Sequence, residues 1–206
     1  MNNYPSQVGT PTILQILERE GILLRTIDRL ADALDEINKV RRDNKLEMRE
    51  IVQGLANTSY VERKFTRRFG DAAIMSRSNQ YYRIRMLKQY RETDYNDYID
   101  TLLHELAHVV DFILRGRSDH SKVWKYIAKV VGATPTATRK ASGAVKELVA
   151  GKYKWGCSNE NCDMVHTFDR RKKKPITSYW CNKCRSPLVD LNGNGGCKYR
   201  KHNTYA

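Results

Sequence analysis

The sequence predicts an α+β protein: helices at the N-terminus, a small sheet with a long helix behind it, and a compact C-terminal module built around cysteines. Three observations carry this. Apolar residues recur every three or four positions over 11–42 and again over 95–114. Between them, residues 60–90 change to a two-residue alternation. All five cysteines fall in the last 50 of the 206 residues. A chain of this length accommodates one medium domain and a small module.

Taken in order, residues 11–42 read as helical, with Ile13, Leu17, Leu24, Ile27, Leu30, Leu34 and Ile37 recurring at spacings of three or four apart from one seven-residue step. Thr10-Pro11 or Thr12 starts the helix, and Gly21 marks a kink or a break. A further helix is expected over about 44–56. This interrupted pattern is too short for a coiled coil and reads as packing. Asn57-Thr58-Ser59 reads as a connector. Lys64–Met75 and Tyr81–Tyr90 read as strands joined at Ser76–Asn79; in the second, Tyr82, Ile84 and Met86 alternate with Arg83 and Arg85.

The helical period returns over Tyr95–Leu114, capped by Asp94 or Asn96 and ended by Gly116. Ser118-Asp119 then caps a helix over about 120–131 that stops at Gly132. The expected divisions are therefore 1–57 (N-terminal helices), 58–133 (core), 134–150 (linker), 151–191 (cysteine module) and 192–206 (basic, glycine-rich tail).

Charge divides the chain. Residues 1–114 hold 17 Lys+Arg and 17 Asp+Glu, so the whole +14 lies in 115–206. A basic half suits an anionic partner or a solvated surface. No apolar run approaches the roughly 20 residues that cross a bilayer, and Met1-Asn2-Asn3-Tyr4-Pro5 lacks the features of a secretory signal. The expectation is a cytoplasmic or nucleoid-associated protein that is not secreted and has no membrane partner.

The sharpest motif is His104-Glu105-Leu106-Ala107-His108. Histidines at i and i+4 of a helix share a face one turn apart, where two neutral nitrogens reach one zinc ion at about 2.0–2.1 Å. Glu105 beside the first ligand suits a general base that later returns its proton to a leaving amine. A catalytic zinc needs a third protein ligand and an open position. Six residues after His108 stands Leu114, and the next glutamate after Glu105 is Glu147, too far along. His120, twelve residues past His108 and just beyond the Gly116 reversal, is preferred, with Asp119 in reserve. Asp111 shares the histidine face and suits a carboxylate that accepts the other ring N–H of a ligand histidine, or a plain solvated one.

These residues, together with Asp119-His120-Ser121-Lys122-Val123-Trp124-Lys125, resemble the SprT-like metallopeptidases. In that family the third zinc histidine begins a helix and is followed by a small residue and an aromatic at similar spacing. The resemblance implies a zincin-like fold, and likens Tyr82-Arg83-Ile84-Arg85-Met86 to the strand before the motif helix, which in zincins offers its edge to an extended substrate. It covers about 60–190. Residues 1–57 do not obviously match, and Ser121 stands where the family often has glycine.

Cys181-x-x-Cys184 and Cys157-x4-Cys162, eighteen residues apart, fit a structural zinc ribbon better than a disulfide framework. Metal would supply most of the folding free energy of so small a module. The first pair is loosely spaced, so His166 is an alternative for one cysteine, and Cys197 reads as a free thiol. A ribbon after the catalytic helices also resembles the SprT-like pattern.

Arg170, Arg171, Lys172, Lys173 and Lys174 lie between the two pairs, where phosphates would be neutralised without base readout. Aromatic residues nearby stack on unpaired bases or fill the mini-core. The resemblance implies activity on proteins bound or crosslinked to DNA. The full expectation is a zinc endopeptidase with one catalytic and one structural Zn2+, a protein substrate, and DNA held non-specifically by the basic half. The alternative is a nucleic-acid-binding zinc protein whose first centre is inactive or structural.

Overall fold

The computed structural model describes residues 9–39, 45–65, 68–137, 143–149, 153–168 and 172–191. It divides the chain into two compact units, residues 1–148 and 149–206.

In the first unit, the N-terminal helical stretch breaks into α1 (Ile13–Arg19), α2 (Leu23–Asp32) and α3 (Leu34–Asn38). Thr12 starts α1 through a capping box with Gln15. Gly21, at φ +68°, adopts the left-handed backbone that separates α1 from α2. The fourth helix, α4 (Met48–Ala56), follows, and then the chain enters β1 (Thr58–Arg63). Its first two residues, Thr58 and Ser59, lie in what reads in sequence as a connector. Thr58, Ser59 and Tyr60 are all buried, so it carries no two-residue alternation to reveal it.

β2 (Gly70–Ser76) and β3 (Tyr81–Leu87) form the hairpin expected around 76–79, each shorter than its apolar pattern suggests. Residues 90–93 turn into a short helix, α5 (Tyr90–Thr93), rather than continuing β3. The strand order is β1-β3-β2, with β1 parallel and β2 antiparallel to β3. The Tyr82–Met86 strand is therefore central, with both edges paired. β3 thus offers no edge of the kind expected of it; among the described strands β2 lies at one edge of the sheet and β1, missing from the sequence reading, at the other. The outer side of β1 meets the N-terminal segment, where Tyr60 N–H donates to Pro11 O at 2.9 Å.

The long helix α6 (Tyr95–Arg115) packs against β2 and β3. Asp94 caps it by accepting from Asp97 N–H at 3.0 Å, and Gly116 at φ +68° ends it. Leu102, Leu106, Val109 and Val110 are fully buried along one side. α7 (Lys122–Val131) returns against α6 and meets α2. α1 and α4 also pack on this core through Ile13, Ile16, Leu17, Ile51 and Leu55. The described N-terminal helices thus pack in one unit with the core through their apolar stripes. The segment 143–148, expected within a linker, forms α8 (Gly143–Leu148), with Val145 fully buried.

In the second unit β4 (Tyr153–Cys157) pairs antiparallel with both β5 (Val165–Phe168) and β6 (Leu188–Asp190). Trp155, Cys162, Cys181 and Leu188 form its small core. Among the described residues no helix is long and apolar enough to cross a membrane.

Candidate active site

The 3.6-residue period of α6 sets His104 and His108 on one side, and their rings lie 5.0 Å apart between centroids. Gly116 ends the helix and lets the chain double back. Residues 117–121 then carry His120 over the same side, where its Nε2 lies 3.3 Å from His104 Nε2 and 3.2 Å from His108 Nε2. Three nitrogens bonded tetrahedrally to one zinc at about 2.0–2.1 Å would stand about 3.3–3.4 Å apart, so the residues present fit that ion.

The protonation states agree with ligation. Burial, then the neighbouring His104 and His120, pushes His108 down to about 3, and burial also lowers His120. Neutral imidazole is the form that binds metal. Ser118 Oγ lies 2.7 Å from His108 Nδ1, which fixes the ring and turns Nε2 toward the other two. Trp124, with no exposed surface, packs its ring 4.6, 5.0 and 4.5 Å from those of His104, His108 and His120. It forms a rigid floor under the three imidazoles.

The carboxylate expectations need correction. Asp111 bonds no histidine. It is fully buried, and its two oxygens accept from Arg115 at 2.7 and 2.6 Å. The intended partner role falls to Ser118, which only the reversal at Gly116 brings near. Asp119 is not free to serve as a ligand through Oδ1, which accepts from Arg115 Nη2 and from Ser121 N–H, both at 3.0 Å. Ser121, through its side chain and its N–H, and Arg115 together hold its pKa well below the usual carboxylate range. Arg115 therefore links the buried side of α6 to the loop that bears His120. The Asp111-to-Arg115 spacing of four residues was a legible signal for this pair.

Glu105 is buried beside β2. Burial, then the nearby Asp71, pushes its carboxyl up to about 8, against the Ala72 backbone N–H and Arg68, which lower it. A side chain on Gly70 would stand 3.0 Å from Glu105 Cγ, so glycine there makes room for the glutamate. The strand edge that contacts Glu105 is that of β2.

In the second unit the four expected thiols converge. Cys157 and Cys184 lie 3.3 Å apart at sulfur, Cys162 and Cys181 3.8 Å, and all four ligand atoms lie within 4.8 Å. Tetrahedral zinc with sulfur at about 2.3 Å implies edges of about 3.8 Å. Hydrogen bonds from Ser186 bring the Cys184 thiol down to about 6, favouring the thiolate that metal requires. His166 does not belong to this group; it lies on β5 opposite Trp155. Cys197, Arg170 and Arg171 lie outside the described residues. Lys172 Nζ sits 4.2 Å above the Phe168 ring, and Lys173 and Lys174 are exposed. Trp155 fills the mini-core, whereas Trp180 is 58% exposed.

The SprT-like family model matches residues 37–144, just over half of the 206 residues. The chain belongs to the SprT-like family. That family is generally one of zinc metallopeptidases, and the first unit is a metallopeptidase-like domain. The SprT-like match takes in α4, which shows no obvious resemblance by motif, and ends before the cysteine module. No curated protein and no solved structure matches the chain.

Proposed function

We propose that this SprT-like protein is a zinc-dependent endopeptidase of zincin-like fold that acts on DNA-associated or DNA-crosslinked proteins. The observation that carries the peptidase reading is the convergence of three histidine nitrogens, at the spacing of tetrahedral zinc, beside the buried Glu105. A zinc ion held there supplies Lewis acidity, polarising a substrate carbonyl and making water nucleophilic near neutral pH. His104, His108 and His120 hold it, with Ser118 and Trp124 keeping their rings in place. Glu105 takes the proton of the attacking water and returns it to the leaving amine. Its raised pKa suits both roles near neutral pH. An extended substrate adds to the free edge of β2 by main-chain hydrogen bonds, with its scissile bond next to Glu105.

Cys157, Cys162, Cys181 and Cys184 hold a second, structural zinc. The DNA reading rests on the basic second half and the exposed Trp180, which offers a face to an unpaired base. The test is Glu105→Gln. It should keep the wild-type metal content of two zinc ions per chain while cleavage disappears. Unchanged cleavage overturns the assignment of the base, and DNA binding with no proteolysis in the wild-type protein would make the first centre structural.

A further inference from the structure

The zero net charge of residues 1–114 is the sum of two opposed parts. Residues 60–91, the sheet and its connections, hold nine Lys+Arg against two Asp+Glu, or +7. The rest of that stretch holds eight against fifteen. Cationic density therefore also lies on the catalytic unit, and the alternation of β3 decides where.

Tyr82, Ile84 and Met86 are buried toward the helices; Tyr82 stacks on Phe112 of α6 at 6.3 Å. Arg83 and Arg85 point to the other side of the sheet and are half-buried. Arg83 lies between Ser59 of β1 and Ala73 of β2, and Arg85 between Val61 and Asp71. Asp71 accepts from Arg85 Nε and Nη2, but Arg83 Nε is buried with no hydrogen-bond partner. Arg63 ends β1, exposed, with its guanidinium 5.4 Å over the Phe65 ring. Arg77 is exposed in the turn between β2 and β3, and Tyr81, half-buried, begins β3.

We propose that this outer face of the sheet binds a single-stranded polynucleotide through its phosphates. The cations run from Arg77 through Arg83 to Arg63 along about 20 Å of strand, and three strands span only about 10 Å across, narrow for a duplex. Cations spaced along a track with a tyrosine ring beside them suit a polymer carrying a charge and a flat base in every repeat. The half-buried Arg83 guanidinium adds positive charge at the centre of this face, which favours phosphate oxygens. β2 is one strand of this face and also the strand beside Glu105, so a nucleic acid bound here would pass close to the cleavage site. A protein attached to it is thereby delivered to the β2 edge. This inference rests on the peptidase reading for its meaning but not for its test.

The test uses the full, zinc-loaded chain and a labelled single strand of about 12 nucleotides, within the range a small domain covers. Binding is followed by anisotropy across a salt series. Arg63→Gln/Arg77→Gln and, separately, Arg83→Gln are compared with Lys173→Gln/Lys174→Gln on the ribbon. The double sheet variant should bind more weakly and flatten the slope of log K against log salt by about 0.7 per lost contact, or about 1.4. Arg83→Gln should weaken binding as well, and should its fold suffer, the exposed pair still decides the matter. Unchanged affinity and slope in the sheet variants overturn the proposal. So does a larger loss for duplex than for single strand, or an intact slope with impaired cleavage of acidic peptides, which would assign the face to a peptide. If binding falls as expected while the wild-type protein cleaves nothing, the peptidase reading fails and this surface stands. If cleavage and ribbon-dependent binding persist with normal sheet variants, the reverse holds.

Discussion

Replacing Arg115 with methionine should destabilise the first unit and loosen the loop that carries His120. Asp111 has no exposed side-chain surface, and its carboxylate is answered at both oxygens by Arg115. Deleting the guanidinium strands a buried charge, which costs about 3–5 kcal/mol. A unit of about 150 residues loses roughly 2–4 °C of Tm per kcal/mol, so the midpoint should fall by about 6–20 °C. The double variant Asp111→Leu/Arg115→Met removes the charge along with its partner and should recover most of that loss. It cannot restore the bond from Arg115 to Asp119, the neighbour of His120. The double variant should therefore fold well and yet release zinc to a chelator faster than the wild-type protein. Thermal melts followed by circular dichroism, and chelator competition on the same samples, give both readouts. A wild-type melt for Arg115→Met would refute the reasoning about burial. Wild-type zinc release from the double variant would refute the tether.

Three further outcomes follow from the geometry. Gly70→Ala places a methyl 3.0 Å from Glu105 Cγ and from Met86 Sδ, so turnover should fall with little change in Tm; unchanged turnover would show slack around the base. Glu20 is buried, which by itself raises its pKa, but Arg91, Arg19 and Tyr95 together hold it below its ordinary 4.5. A depressed carboxylate stabilises the fold above its unfolded value and loses that contribution as pH falls through the folded one. Acid unfolding of Glu20→Gln should accordingly be less steep below pH 4.5, and an identical acid limb in both proteins would contradict this. Stripping metal from the four thiols should unfold the second unit and expose Trp155, now fully buried. An unshifted tryptophan emission spectrum after complete zinc removal would mean that the mini-core stands without metal.

Local chemistry made a good part of the site readable. Two histidines four residues apart, a glycine able to reverse the chain after α6, and two cysteine pairs at metal-ligand spacing are short-range facts, and each depends on backbone geometry that adjacent residues dictate. The caps at Thr12 and Asp94 and the break at Gly21 are of the same kind. The sequence already preferred His120 over Asp119 through the expected reversal at Gly116; the structure adds where that loop lands, and that Arg115 and Ser121 occupy Asp119 Oδ1.

Tertiary structure alone decided the rest. β1 carries no alternation because Thr58, Ser59 and Tyr60 are all buried, so the position of β3 as central strand, and of β2 as the free edge by Glu105, was invisible along the chain. Ser118 reaches His108 only after the chain reverses, and a zero net charge over 114 residues hid a basic sheet beside acidic helices. The α+β class, the two histidines with their glutamate and the cysteine pairs were determined by the sequence itself, since periodicity and ligand spacing act within a few residues. Which polar groups meet, which strand is left unpaired and where charge gathers were set by contacts between distant segments, which follow from how the apolar faces pack.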